Sequence, residues 1–253
     1  MALDFLALLA ADVEAFAGAV ETGPADAPIA GCPGWLLVDL GGHLGNIHRW
    51  VIGALETGAA PQIDRSADPA PDDLVALAAW VRTGAARMIG MLQATDPQAP
   101  TWHPFLVKPK LAGFWWRRQA QEASVHRWDA EAAIGQPATF SAEFAADGVD
   151  EYWTVMLPRL LGREGRAVPA SILAVTAADT NRRWVIDGRS GSPIVVADDS
   201  ADDSADDSVA DAELTGDSAS LLLRLWGRPV SAGAVVVDGD NEVAHAWLAL
   251  GGA

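Results

Sequence analysis

Apolar residues recur at three- and four-residue steps through the first two-thirds of the chain. Leu3, Leu6, Leu9, Val13, Phe16 and Val20 form one such stripe, the spacing of a helix with one buried face. "ETGPADAPIAGCPGW" breaks it with Pro and Gly. A second helix is predicted from about Leu36 to Leu55, with Leu37, Leu40, Leu44, Ile47, Val51 and Leu55 inward. A third starts near Pro71, where Asp72 and Asp73 suit the positive end of a helix dipole, and continues through Leu77, Val81, Met88 and Leu92. After the loop "TDPQAPTWHPF" a fourth covers about Gly113 to Ile134 and stops at Gly135-Gln136-Pro137. A fifth covers about Ser141 to Leu161, kinked at Pro158. Beyond Gly165 the runs become short and rich in Val and Ile: "SILAVTA", "RRWVIDG", "SPIVVA" and "GAVVVDGDNEVAHAWLAL". These read as strands, with a hairpin turn at Val237-Asp238-Gly239-Asp240 and one crossing helix from Ser218 to Arg228. The predicted fold class is α+β. An up-down helical bundle fills residues 1–165, and a small α+β sheet domain fills 166–253.

Composition narrows the function. The chain has 253 residues and a formal net charge of −17. A nucleic-acid or anionic-membrane surface needs a basic face to replace counterions, so neither partner is expected. Six of the acidic residues sit in "ADDSADDSADDS", Ala197 to Ser208. That stretch reads as part of a disordered acidic loop near 197–212. A calcium loop of the EF-hand type would need a central Gly and a terminal Glu, which the repeat lacks. A single cysteine, Cys32, excludes an internal disulfide and cysteine-rich zinc sites. The N-terminus lacks a basic region and carries Asp4, Asp12 and Glu14, which reads as a core helix rather than a signal peptide. No apolar run reaches the ~18 residues of a membrane span. A cytoplasmic protein is expected.

The chemistry concentrates in "EASVHRWDAE", Glu122 to Glu131. Glu122 and His126 are four apart on a predicted helix and project on one face, with Asp129 three further on. A carboxylate and an imidazole one turn apart can chelate a divalent ion without ordering a loop. The same spacing also makes an ordinary exposed ion pair. A zinc site needs a third ligand, and "DLGGHLGNIHRW" offers His43 and His48. They lie about 140° apart around their helix, so one at most would join. Gly41, Gly42 and Gly45 flank His43, and glycine inside a helix points to close helix approach or room for a bound group.

"CPGWLLVDLGGHLGNIHRW" and "RRQAQEASVHRWDAE" resemble the two signatures of the mycothiol-dependent maleylpyruvate isomerase family. That family belongs to the DinB-like metal-binding four-helix bundles. The resemblance covers nearly the whole chain and implies a DinB-like bundle followed by a C-terminal α+β domain. It places three metal ligands on His43, Glu122 and His126, and implies Zn²⁺ with open positions, mycothiol as thiol cofactor, and a small electrophilic substrate. The implied activity is isomerisation or thiol transfer. A non-catalytic metal-binding structural or regulatory module, and a thiol-independent metal hydrolase, are the alternatives. Asp129 could fix a ligand imidazole or form an ordinary ion pair. Cys32, in its Pro-Gly turn with no His assigned beside it, is expected to be structural, as are His103 and His245. Arg117, Arg118, Arg127 and Arg224 are the cations that a dianionic substrate could meet.

Overall fold

A computed structural model describes residues 3–62, 64–136, 138–198 and 210–251, apart from the side chains of Glu164 and Asp198. The chain divides into two compact units, residues 1–138 and 139–253. The acidic ADDS repeat, expected as a disordered loop, lies largely outside the described residues.

The first unit holds four helices: α1 (Phe5–Thr22), α2 (Leu37–Thr57), α3 (Leu74–Ala94) and α4 (Phe114–Ala133). Acidic side chains close the N-termini of the first three. Asp4 accepts from the Ala7 amide at 3.0 Å, Asp39 from the Leu36 amide at 2.9 Å, and Asp73 from the Ala76 amide at 2.9 Å. α3 therefore begins three residues after the predicted Pro71, at the residue that Asp73 caps. α4 ends where Gly135 turns into the left-handed region at φ 78°. Each helix packs mainly on two others, α1 on α3 and α4, α2 on α3 and α4, with a smaller contact between α1 and α2. Leu9, Phe16, Leu40, Leu44, Leu77, Val81, Met88 and Trp115 are sealed between them. α3 is long and apolar enough to cross a membrane by length and composition, but it packs within this bundle.

The glycines of α2 have a packing reason. A Cβ on Gly41 would lie 2.7 Å from Leu77, and one on Gly45 would lie 2.0 Å from the Trp80 ring. These two positions, one turn apart, let α3 approach closely. One turn further, the Arg49 guanidinium lies over the Trp80 ring, 3.5 Å from its centroid. Asp68 accepts from both Arg49 and the Trp80 indole, tying the loop before α3 to the same contact.

The second unit starts earlier than the boundary placed near 165. α5 (Ala142–Glu151) packs on α7 (Ser218–Leu225) of this unit. α5 runs through a π-helical stretch, Tyr152–Met156, into α6 (Leu157–Glu164). The Leu157 amide bonds back five residues to Tyr152, and Pro158, which has no amide hydrogen, follows at once. The expected kink is thus a local widening of the helix.

The sheet contains β1 (Ile172–Ala177), β2 (Arg182–Asp187), β3 (Ile194–Asp198), β4 (Ala212–Gly216) and β5 (Val235–Gly239). Their order is β3-β2-β1-β4-β5. Among the described residues only the β1–β4 pairing is parallel. Leu173, Val175, Trp184, Ile186 and Leu214 alternate onto one buried face. One expectation is corrected here. "NEVAHAWL" is a helix, α8 (Asn241–Leu248), and Asp240 is its N-cap rather than part of a hairpin turn. Ala244 and Trp247 are buried three residues apart, a helical step that the strand-forming run of Val235, Val236 and Val237 just before it masked.

The glycine contacts yield a paired expectation. Gly45→Ala destabilises by about 1–3 kcal/mol through overpacking against Trp80. Gly90→Ala, exposed on α3 with nothing within 4 Å of a new Cβ, stabilises by about 0.5–1 kcal/mol. Urea denaturation of the two variants checks both signs.

Candidate metal centre

α2 and α4 face each other, and their facing surfaces carry the three residues singled out from the sequence. His43 projects from α2; Glu122 and His126 project one turn apart from α4. His43 Nε2 lies 3.3 Å from Glu122 Oε1, and His126 Nε2 lies 3.5 Å from the same oxygen. The donor atoms of all three residues lie within 4.8 Å of one another. The imidazole rings meet edge to face at 5.0 Å. Exposure falls from 29% for His43 to 18% for Glu122 and 11% for His126, so the cluster is reached from the His43 side.

Donors ~2.0–2.2 Å from a tetrahedral ion lie ~3.3–3.5 Å from one another. The two N···O separations match that spacing. Two imidazoles and one carboxylate are also the donor chemistry of a catalytic zinc site. The residues present therefore fit a divalent ion of zinc's size.

Neighbouring groups orient these donors. His126 Nδ1 lies 3.0 Å from Asp129 Oδ2, an arrangement that aims Nε2 toward Glu122 and His43. Arg118 donates to Glu122 Oε2 at 2.9 Å. Burial opposes charge on Glu122, but His126, His43 and Arg118 outweigh it and hold its pKa well below the usual range. Burial likewise opposes the His126 cation, and Asp129 and Glu122 outweigh it and raise its pKa.

His48 is not part of this cluster. It is fully buried and packs toward α3, its Cβ 3.5 Å from where a Cβ on Gly84 would stand. The angular separation of His43 and His48 is what sends one toward α4 and the other toward α3. Burial, then the neighbouring Arg49 charge, press the His48 pKa down to about 3. His103 is also buried, stacked on Phe114 at 4.0 Å, with its pKa lowered to about 4 by burial and by Lys110. His245 is exposed on α8.

Four neighbours were missed or misassigned in sequence. Cys32 does have a histidine beside it: Cys32, His126 and Asp129 bring possible ligand atoms within 4.8 Å of one another, all three residues buried. The turn that does this is closed by Trp35 N–H donating to the Cys32 carbonyl at 2.9 Å and by the Pro28–Leu36 bridge. The same turn sets the Trp35 ring 4.9 Å from His43. Nothing in a linear spacing places a turn against a helix ninety residues later. Arg118 is different, because its four-residue offset from Glu122 was visible. Arg127 is engaged with Asp12, joining α4 to α1. Burial raises the Asp12 pKa and Arg127 only partly offsets it.

Residues 6–131 match the family model described as the mycothiol maleylpyruvate isomerase N-terminal domain. Residues 143–246 match the one described as the MDMPI C-terminal domain. His43, Glu122 and His126 all lie inside the first match. No curated protein and no solved structure matches the chain.

The buried His48 sets an acid limb. Its folded pKa lies below the ~6.5 of the unfolded chain, so it contributes stability that is complete above about pH 6.5 and is lost as pH falls toward about 3. His48→Gln should flatten the fall of unfolding free energy between about pH 6 and 4 by close to one proton's slope, ~1.4 kcal/mol per pH unit. Urea titrations of both proteins across that range read the difference.

Proposed function

The chain belongs to the mycothiol maleylpyruvate isomerase family, and on that premise we propose that it is a metal- and mycothiol-dependent enzyme. It acts in the cytoplasm on a small electrophile, by isomerisation or thiol transfer, with His43, Glu122 and His126 holding a divalent ion, Zn²⁺ by donor chemistry. The observation that carries this reading is the convergence of His43 Nε2 and His126 Nε2 on one Glu122 oxygen at 3.3 and 3.5 Å.

Such an ion, when bound beside a thiol, lowers the thiol's pKa and supplies thiolate at neutral pH. The protein's own groups do the rest. Asp129 holds His126 by Nδ1, so its other nitrogen serves as donor. Glu122 brings one negative charge, and Arg118 answers it from the side away from the imidazoles. Trp35 places an apolar ring beside His43, the most exposed of the three donors. That ring narrows the approach and excludes water from one flank. Arg118 and Arg127 are committed to Glu122 and Asp12, so α4 does not offer those two to an anionic substrate. This favours the general reading, a small electrophile, over the dianion maleylpyruvate itself.

The deciding experiment combines metal analysis with turnover. His43→Ala, Glu122→Ala and His126→Ala should each lose bound metal, about 10-fold or more in affinity, whereas His48→Ala should retain it. Turnover of an electrophile panel should need both metal and mycothiol. Turnover without thiol would convert the reading to a metal hydrolase. Chelation that unfolds the protein, with no thiol binding, would convert it to a structural staple.

A further inference from the structure

The two oxygens of Glu122 have different partners. Oε1 faces both imidazoles, and Oε2 lies 2.9 Å from an Arg118 nitrogen. Arg118 stands one turn earlier on α4, with its side chain only 3% exposed. A guanidinium is planar and permanently charged, so its N–H···O bond holds Oε2 on the side away from the imidazoles. Turning both oxygens toward one point between the imidazoles would cost that charge-assisted bond.

We propose that Arg118 is a positioning residue that restricts Glu122 to donation through one oxygen, and so makes this cluster select small divalent ions that accept few ligands. The inference rests on the metal-binding reading above and deepens it. Zn²⁺ is satisfied by three protein donors and one further ligand. Mn²⁺ favours more oxygens in a larger shell, and a carboxylate free to chelate would supply one. Positive charge alone does not separate the two cases, because Arg118 repels any dication equally. The ratio of Zn²⁺ to Mn²⁺ affinity therefore isolates the carboxylate's mode of donation from simple charge.

The test uses the full chain as wild type, Arg118→Gln and Arg118→Lys. Dissociation constants for Zn²⁺ and Mn²⁺ are measured by chelator competition, and Mn²⁺ resonance spectra are recorded on the same samples. Arg118→Gln should narrow the Zn²⁺-over-Mn²⁺ preference by about 10-fold, and Arg118→Lys, which keeps the charge but loses the fork, by about threefold. The Mn²⁺ spectrum should change in both. Equal shifts of both affinities would mean that Arg118 acts through charge alone, which overturns the proposal. Should Arg118→Gln not fold, as judged by circular dichroism, Arg118→Lys decides: a wild-type ratio overturns the proposal. Wild-type protein that binds neither ion is a separate result and removes the metal reading itself.

Discussion

Taking a carboxylate out of water costs several kcal/mol unless its charge is answered. Glu122 is answered on both oxygens, by two imidazoles on one side and a guanidinium on the other. That requirement organises the helical unit. It needs α2 and α4 to face each other along the turn that carries His43, and it needs Arg118 to be buried as well. The second ion pair of α4, Arg127 with Asp12, joins the same helix to α1. One helix thus carries the charged groups that bind the unit internally and the groups that converge on its most reactive-looking corner.

Much of this was legible in the sequence because it obeys a single period. Glu122, His126 and Asp129 share a face on any regular helix, and α4 runs as one α-helix from Phe114 to Ala133. His43 and His48 were separable in angle but not in role from their spacing alone. The resemblance to a family chose between them, and the structure places His43 rather than His48 beside Glu122. The α2 glycines pointed to close approach, and Leu77 and Trp80 are the side chains that approach. What was not legible depends on contacts distant in sequence. Cys32 reaches His126 and Asp129 only because a Pro-Gly turn folds back on α4. In the second unit, the consecutive valines Val235 to Val237 and "NEVAHAWL" read as strands on either side of an Asp-Gly-Asp turn. The period changes there at Asp240, a residue that serves turns and helix caps equally well.

The second unit is a five-stranded sheet with helices on the face carrying Leu173, Trp184 and Leu214. It follows its own packing rules, with a π-helical stretch accommodating Pro158. Its match to a C-terminal family domain shows that the same two-part arrangement extends through the chain.

The close contact between Gly45 and Trp80 reaches beyond α2 and α3. His43 sits two residues before Gly45, and on the proposed metal reading its donor nitrogen must meet atoms fixed on another helix. Sliding α2 by one residue moves it ~1.5 Å along its axis, whereas coordination tolerates ~0.2 Å. The glycine notch acts as a detent that indexes α2 lengthwise. Crowding it on the far side of the helix would knock the donors out of alignment while leaving each of them intact, so damage there would look like a lesion of the centre itself.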